Sequence, residues 1–360
     1  MTRRAVIVTP SLGENSLGRT MVTWTLLSEL GWEVSVVAPG DADIWQPVVG
    51  TEFASACQGL GSLDGAGRAD ALADLAARSD VVIATKALPE SFGLLAPIVD
   101  ATGRRMILDY DDPDQEVWSP YSVPLWRVSA RWGRHPLIAL KMARVARWRH
   151  RLNGRIEYIV SNPQLQRSHG GTIVPHARTI GARGADHTSE KPTVAFIGTA
   201  RQHKGIDEVR DAVAGFGPER FKLVVTDEAP PDARDNEDWV GRLPFEAAME
   251  LLRSSDIAVI PSKSTPFTHG QLPAKLIDGM MAGRLVIASD LPPIRWALGD
   301  AGILFDAGNR QALSAALERG ADPATRRVLG ERARESAIER FSIDACLPAM
   351  KAVVERVTGA

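Results

Sequence analysis

Two stretches of this 360-residue chain gather side chains suited to a charged, hydroxyl-rich ligand. In the first, Gly198-Thr199-Ala200-Arg201-Gln202-His203-Lys204-Gly205, a guanidinium and an ammonium stand three positions apart in a glycine-bounded loop. Arg201 and Lys204, with the backbone amides of a helix start, are the groups that hold a diphosphate. The loop is not a P-loop, because no Gly-Lys-Ser/Thr follows at the required spacing, and taken alone it also reads as a solvated basic turn. The second stretch has a polar loop, Thr265 to Gln271, and then a helix over Leu272–Ala282 that ends at Gly283. Asp278 is an awkward residue within a helix. It either accepts hydrogen bonds from ribose hydroxyls or is an exposed carboxylate paired with Lys275 at i−3, worth about 0.3 kcal/mol. His269, followed by Gly270 and Gln271, is either a donor to a substrate or an ordinary polar loop residue.

The first half holds a different set. Asp109, Asp111, Asp112 and Asp114 occupy four of six positions directly after an apolar run. Asp111 and Asp112 could bind acceptor hydroxyls or act as a base, against the plain reading of adjacent acids solvated on a loop. Gly13 and Gly18 lie after the first apolar run, where glycine permits close backbone approach or a positive φ, or simply makes a tight turn.

The elements that must position these residues alternate between two periods. Arg3 to Thr9 is a continuous apolar run ended by Pro10, as in a parallel strand buried on both faces. Leu17, Met21, Trp24, Leu27 and Leu30 then recur at helical spacing, Gly31 supplies the C-cap, and Glu33–Ala38 is a second strand. Val81–Ala84, Arg105–Leu108 and Tyr158–Val160 continue the series. Thr179 to Pro192 is nearly devoid of apolar residues and reads as a linker. The pattern then restarts: strand Thr193–Ile197, helix Ile206–Ala214, and strands at 222–225, 257–260, 285–288 and 302–304. The expected fold is α/β, with two doubly wound Rossmann-like domains facing a central cleft. Their expected limits are 1–180 and 192–340, with a helix at 341–360 that caps the second domain or returns to the first.

Composition narrows the function classes. The chain is 44% hydrophobic and 24% charged with a net charge of −2, which argues against nucleic acid as a partner. Cys57 and Cys346 lie far apart with no ligand-spaced histidine, so neither a disulfide framework nor a zinc site is expected. The apolar run Ala5–Val8 is too short for a signal peptide, and nothing approaches the ~18 apolar residues of a membrane span. A reduced, cytoplasmic protein is expected. Charge is uneven, however: residues 127–155 hold nine Lys/Arg and no Asp or Glu. Ile138, Met142, Val145, Trp148 and Leu152 form an apolar stripe there, beside Lys141, Arg144, Arg147 and Arg151. With Trp126 and Trp132, this segment either rests peripherally on an anionic membrane or packs on the first sheet with its basic side solvated.

The loop Phe196-Ile197-Gly198 through Lys204-Gly205-Ile206, followed by Leu276-Ile277-Asp278-Gly279-Met280-Met281-Ala282-Gly283-Arg284-Leu285-Val286-Ile287-Ala288-Ser289, resembles the donor domain of GT-B glycosyltransferases of the family-4 group (glycosyl transferases group 1). The resemblance implies transfer of a sugar from a UDP- or GDP-sugar to a glycan, lipid-linked or small-molecule acceptor, with retention, no metal and no cofactor. It assigns donor binding to Gly13, Gly18, Arg201, Lys204, His269, Gly270, Gln271 and Asp278. Asp278 would replace the second Glu of the family's Glu-x7-Glu motif. Gly270 stands where the first Glu belongs, and Leu285 where Pro is usual. Asp111 and Asp112 occupy the place of a frequent His-Asp. Asp109-x-Asp111 also resembles the metal-binding Asp-x-Asp of GT-A enzymes, but a second glycine-loop domain beginning at Thr193 does not belong to that fold. An epimerase of GT-B architecture and a degenerate GT-B partner subunit are the rival readings. A dinucleotide oxidoreductase is disfavoured, because Pro10 to Gly18 lacks Gly-x-Gly-x-x-Gly.

Overall fold

The computed structural model describes residues 2–114 and 136–359. Trp126, Trp132 and the part of the basic segment before residue 136 lie outside the described residues. The chain divides into two compact units, Met1–Pro175 with Cys346–Ala360, and His176–Ala345.

Among the described residues the first unit holds seven strands: β1 (Arg4–Val8), β2 (Glu33–Ala38), β3 (Cys57–Gly59), β4 (Val81–Thr85), β5 (Met106–Tyr110), β6 (Ile156–Val160) and β7 (Thr172–Ile173). They form one sheet in the order β3-β2-β1-β4-β5-β6-β7, every pair parallel. The central strands β4 and β5 are buried throughout, which is why their sequence shows no alternation. Helices between the strands begin at side-chain caps where the sequence offers them. Asp64 accepts from the Gly67 amide at 2.7 Å, and Asn162 from those of Gln164 and Leu165. In the helix Pro136–Arg151, Met142 and Val145 are buried and Trp148 packs on the core, as does Leu152 just beyond. The apolar stripe therefore faces the sheet, apart from Ile138, which is exposed. The C-terminal helix Ile343–Thr358 carries Arg356, which pairs with Glu157 and donates to Thr172.

The second unit repeats the plan with β8 (Thr193–Phe196), β9 (Lys222–Val225), β10 (Glu237–Trp239), β11 (Ile257–Ile260), β12 (Leu285–Ser289) and β13 (Ile303–Phe305). Its order is β10-β9-β8-β11-β12-β13, again all parallel. The segment 179–192 belongs to this unit. Gly184 and Ala185 donate to Ala282 and Arg253 carbonyls, and a side chain at Gly184 would collide with the buried Arg284. No helix among the described residues is long and apolar enough to cross a membrane.

In both sheets the strand order reverses between the first and fourth strands. In an open parallel sheet the loops at the carboxyl ends beside that reversal form the ligand-binding crevice. In the second unit these are the loops after β8 and β11, and they are locked together at Gly205. Its φ is +68°, and a Cβ there would lie 2.1 Å from the Pro261 carbonyl oxygen. Gly205→Ala should thus combine a left-handed strain with overpacking against rigid backbone, costing about 3 kcal/mol. Gly103 has the same φ of +68° but open space around it. Gly103→Ala should cost about 1 kcal/mol. Urea denaturation of both variants checks the difference.

Candidate functional site

At the switch point of the second sheet, the loop after β8 is shaped by three hydrogen bonds. Gly198 N donates to Thr226 Oγ1, Ala200 N to Asp227 Oδ2, and Lys263 N, from the loop after β11, to His203 O at 2.8 Å. The His203 and Phe267 rings meet edge to face at 5.8 Å. This stitching brings Arg201 and Lys204 to the same sheet edge as His269, Gly270, Gln271 and Asp278. The loop carrying His269 is braced from within: Thr268 Oγ1 donates to Lys263 O at 2.6 Å, and His269 Nε2 lies 2.8 Å from Ser264 Oγ. The amides of Gly270 and Gln271 both donate to Phe267 O, so the loop closes as a tight turn directly before the helix Ala274–Met281.

Arg201 is exposed, whereas the Lys204 ammonium is largely enclosed, with Thr199 Oγ1 at 3.3 Å. Neither has a carboxylate within ion-pair distance among the described residues. Burial, then the charges of Arg201 and Lys275, lower Lys204 to about 8, against a weaker pull from Asp227. An anion placed beside this ammonium would restore its ordinary basicity.

Asp278 is not the exposed helix carboxylate that sequence spacing allowed, since its side chain is 1% exposed. Arg178 Nε donates to Oδ1 at 2.6 Å, and Lys275 Nζ lies 3.4 Å from Oδ2, which has no hydrogen bond. Burial opposes its ionisation, but Arg178 and Lys275 prevail and hold it below the usual carboxylate range. One oxygen is thus held by Arg178 while the other faces Lys275. Arg178 itself is fixed by a parallel bridge to Ser342, its amide donating to Phe341 O. His176 Nε2 lies 3.1 Å from the Leu272 carbonyl oxygen.

The first unit carries a charge centre of opposite sign after β4 and β5. Lys86 Nζ lies 3.1, 2.6 and 3.0 Å from carboxylate oxygens of Asp111, Asp112 and Asp114. Lys86 is the one non-glycine residue with positive φ among the described residues, at +66°. Burial works against its charge, but the three carboxylates raise it well above its ordinary value. One ammonium does not neutralise three acids. Burial and the repulsion of Asp112 and Asp111 push Asp114 up to about 7 despite Lys86. Asp109 is separate and fully buried: both its oxygens accept from Arg19 Nε at 2.9 Å, and Thr23 Oγ1 donates to Oδ2 at 2.7 Å. The Asp109-x-Asp111 pair is therefore split between two cations and does not form one face for a metal.

Gly13 and Gly18 have no positive φ. A Cβ at Gly18 would touch the Trp45 ring at 3.2 Å, and one at Gly13 the Asp43 carbonyl oxygen at 3.1 Å. The close approach that requires glycine is made by the chain's own segment 42–45. Lys86 and Arg178 were missed from sequence. The first ends an apolar strand as a single cation, a weak signal, and the second meets Asp278 100 positions away.

Residues 191–322 match the model of the family described as glycosyl transferases group 1. Alpha-maltose-1-phosphate synthase of Mycolicibacterium smegmatis is 29% identical over 178 residues, which is 42% of this chain and 44% of that protein. The chain thus spans less than half the length of that curated relative. Among solved structures, the sucrose-phosphate synthase of Thermosynechococcus elongatus superposes with a TM-score of 0.72 at 16% identity, covering 99% of this chain and 100% of the other. Anabaena HepE, solved with UDP and glucose, gives 0.70 at 13% identity, covering 98% and 99%. The two sheets described above are those of the GT-B fold.

The state of Lys204 has a measurable consequence for stability. Its pKa in the fold, about 8, lies below the 10.5 of an unperturbed lysine, so protonated Lys204 destabilises the fold. That penalty is full below pH 8 and vanishes as pH rises toward 10.5. Lys204→Met is expected to stabilise the unliganded protein at pH 7 by up to about 3 kcal/mol, with the gain disappearing by pH 10.5. Chemical denaturation at the two pH values measures it.

Proposed function

We propose that this chain, of GT-B fold and carrying the glycosyl transferases group 1 sequence at residues 191–322, transfers a sugar from a nucleotide diphosphate donor to an acceptor hydroxyl. The reaction proceeds with retention and without a metal ion. The observation that carries this reading is Lys204: a largely enclosed ammonium on the loop of Arg201, at a parallel-sheet switch point, with no carboxylate within ion-pair distance among the described residues. A leaving diphosphate supplies the missing charge, and cations already in place stabilise it without reorganisation at the moment of bond cleavage. That HepE was solved with UDP and with UDP-glucose supports UDP-glucose or a related UDP-sugar as the donor.

In this reading the second unit binds the donor. Arg201 and Lys204 hold the phosphates, and the turn His269-Gly270-Gln271 lines the sugar end. Asp278 is assigned a positioning role, holding Arg178 and Lys275, in place of direct contact with ribose. The first unit binds the acceptor through Asp111 and Asp112, whose carboxylates Lys86 fixes in place and which receive hydroxyl hydrogen bonds. Gly13 and Gly18 serve that unit by seating segment 42–45 on the first helix.

The helix Pro136–Arg151 suggests where the protein works. Leu137, Ile138 and Leu140 are exposed at its start, and Lys141, Arg144, Arg147 and Arg151 are exposed along it. Lys141 and Arg151 pair with Glu90 and Asp100, whereas Arg144 and Arg147 have no carboxylate partner among the described residues. Anionic lipid complements this face, each unpaired cation contributing about 1 kcal/mol near the surface, and a lipid-linked acceptor would be met there.

UDP should raise the melting temperature equally in EDTA and in manganese, because a ligand that binds only the native state stabilises it. Lys204→Ala should fold and lose at least tenfold in turnover of a UDP-sugar. Absence of any UDP-induced shift, or a shift only with manganese, contradicts the donor assignment. The protein should cosediment with phosphatidylglycerol vesicles at low salt, and Arg144→Glu with Arg147→Glu should abolish this. Equal pelleting of the double variant would remove the helix from the account.

A further inference from the structure

The helix Ala274–Met281 begins in a way that its own stability does not explain. Its N-cap is Pro273, which offers no side-chain acceptor, and its first turn contains no acid. The first-turn amides thus lack the side-chain partner that Asp64 or Asn162 supplies elsewhere. The second residue of this helix is Lys275, a cation at the positive end of the helix dipole, where a carboxylate is the stabilising choice. A residue that breaks a local rule without local compensation marks a functional position more often than a structural one.

The charges around Lys275 sharpen the point. Among the described residues the Lys275 ammonium has one carboxylate within ion-pair distance, Asp278, at 3.4 Å. That carboxylate is already engaged by Arg178 at 2.6 Å, and the oxygen facing Lys275 has no hydrogen bond. One negative charge is therefore shared by two cations. The Lys275 ammonium also lies 5.6 Å from the centre of the Phe245 ring, an aromatic seat that steadies a cation without neutralising it. Its field reaches Lys204, which also feels Arg201 and burial. The strands β8 and β11 are neighbours in the sheet, so Arg201 and Lys204, on the loop after β8, and Lys275, on the helix that follows β11, stand at the same carboxyl edge.

We propose that Lys275 is a third cation of the diphosphate site, a catalytic residue that touches the leaving group. This rests on the donor reading above. A sugar nucleotide carries two negative charges on its phosphates. When the bond from sugar C1 to the diphosphate oxygen breaks, the electron pair stays on that oxygen and a third charge develops. The acceptor oxygen forms the new bond to C1 and its proton passes to water. Three cations match the charge of the departing diphosphate, and the third matters most as the bond breaks. Asp278 is the positioning residue: it holds Lys275 in reach while no anion is present, and its second oxygen, lacking a hydrogen bond, lets the ammonium transfer to phosphate.

Calorimetric titration of the full chain with inorganic pyrophosphate and with UDP, from pH 6.5 to 9.5, tests this. Wild type should bind both, with affinity falling above pH about 8 as Lys204 loses its proton. The charged groups acting on Lys204 are Arg201 on its own loop, Lys275 from the helix Ala274–Met281 and Asp227 from the loop after β9. Lys275→Met should weaken pyrophosphate at least tenfold, lower kcat more than it raises KM, and move the pH at which affinity falls upward. Lys275→Arg should restore affinity to within about threefold. Pyrophosphate affinity within twofold of wild type in Lys275→Met, with the pH midpoint unmoved, overturns the inference and leaves the donor reading intact. A wild type that binds neither ligand overturns both. A loss of stability in Lys275→Met with unchanged affinity shows that Lys275 serves only to neutralise Asp278, and equally overturns the proposal.

Discussion

A largely enclosed ammonium at a sheet edge that carries two further cations, with no carboxylate within ion-pair distance among the described residues, is the constraint around which the second unit is arranged. Lys204 can occupy that position only because the rest of the sheet edge is rigid. Gly205 turns in the left-handed region against the Pro261 carbonyl, and the loop after β11 donates back to His203. The parallel sheet below is buried on both faces, so the strand ends that carry these loops have little freedom. Loosening any of these ties would let the ammonium reach water and recover its ordinary basicity. An anion provides the same relief without loosening anything, which is why a stable fold can retain so unfavourable an arrangement.

The first unit solves the inverse problem. There three aspartates converge on one lysine, and the excess is negative. The site keeps Lys86 charged and forces Asp114 toward sharing a proton near neutral pH. Behind it, Arg19 and Asp109 neutralise each other completely within the core and tie the first helix to β5. The two units therefore present opposite surpluses on the same strand topology. A cationic edge suits a diphosphate, and an acidic edge suits hydroxyl groups that donate hydrogen bonds.

Much of this was legible in the sequence, for identifiable reasons. Parallel strands are apolar runs, so β1, β2, β4, β5, β6, β8, β9, β11, β12 and β13 announced themselves. The short strands β3, β7 and β10 lie at sheet edges and have two or three residues each, too few for any periodicity. The cationic loop and the polar loop were visible because each follows a strand and carries glycine. What spacing could not provide was pairing. That Asp278 is enclosed by Arg178 depends on a contact spanning 100 positions, and that Lys86 gathers three aspartates depends on β4 and β5 being neighbours. Gly13 and Gly18 were legible as close-approach positions, but Gly18 lies within the helix Ser16–Glu29, and the neighbour it admits, Trp45, is a residue whose place only the folded chain reveals.

The central claim is that Lys204 is held deprotonation-prone for an anion, and the lysine can be asked directly. Its pKa can be followed by NMR on protein carrying 13C-labelled lysine, with Lys204→Arg used to assign the resonance, in the presence and absence of UDP. The account predicts a midpoint near 8 in the free protein, moving up by at least one unit when UDP binds. A midpoint near 10.5 that UDP leaves unchanged would contradict it.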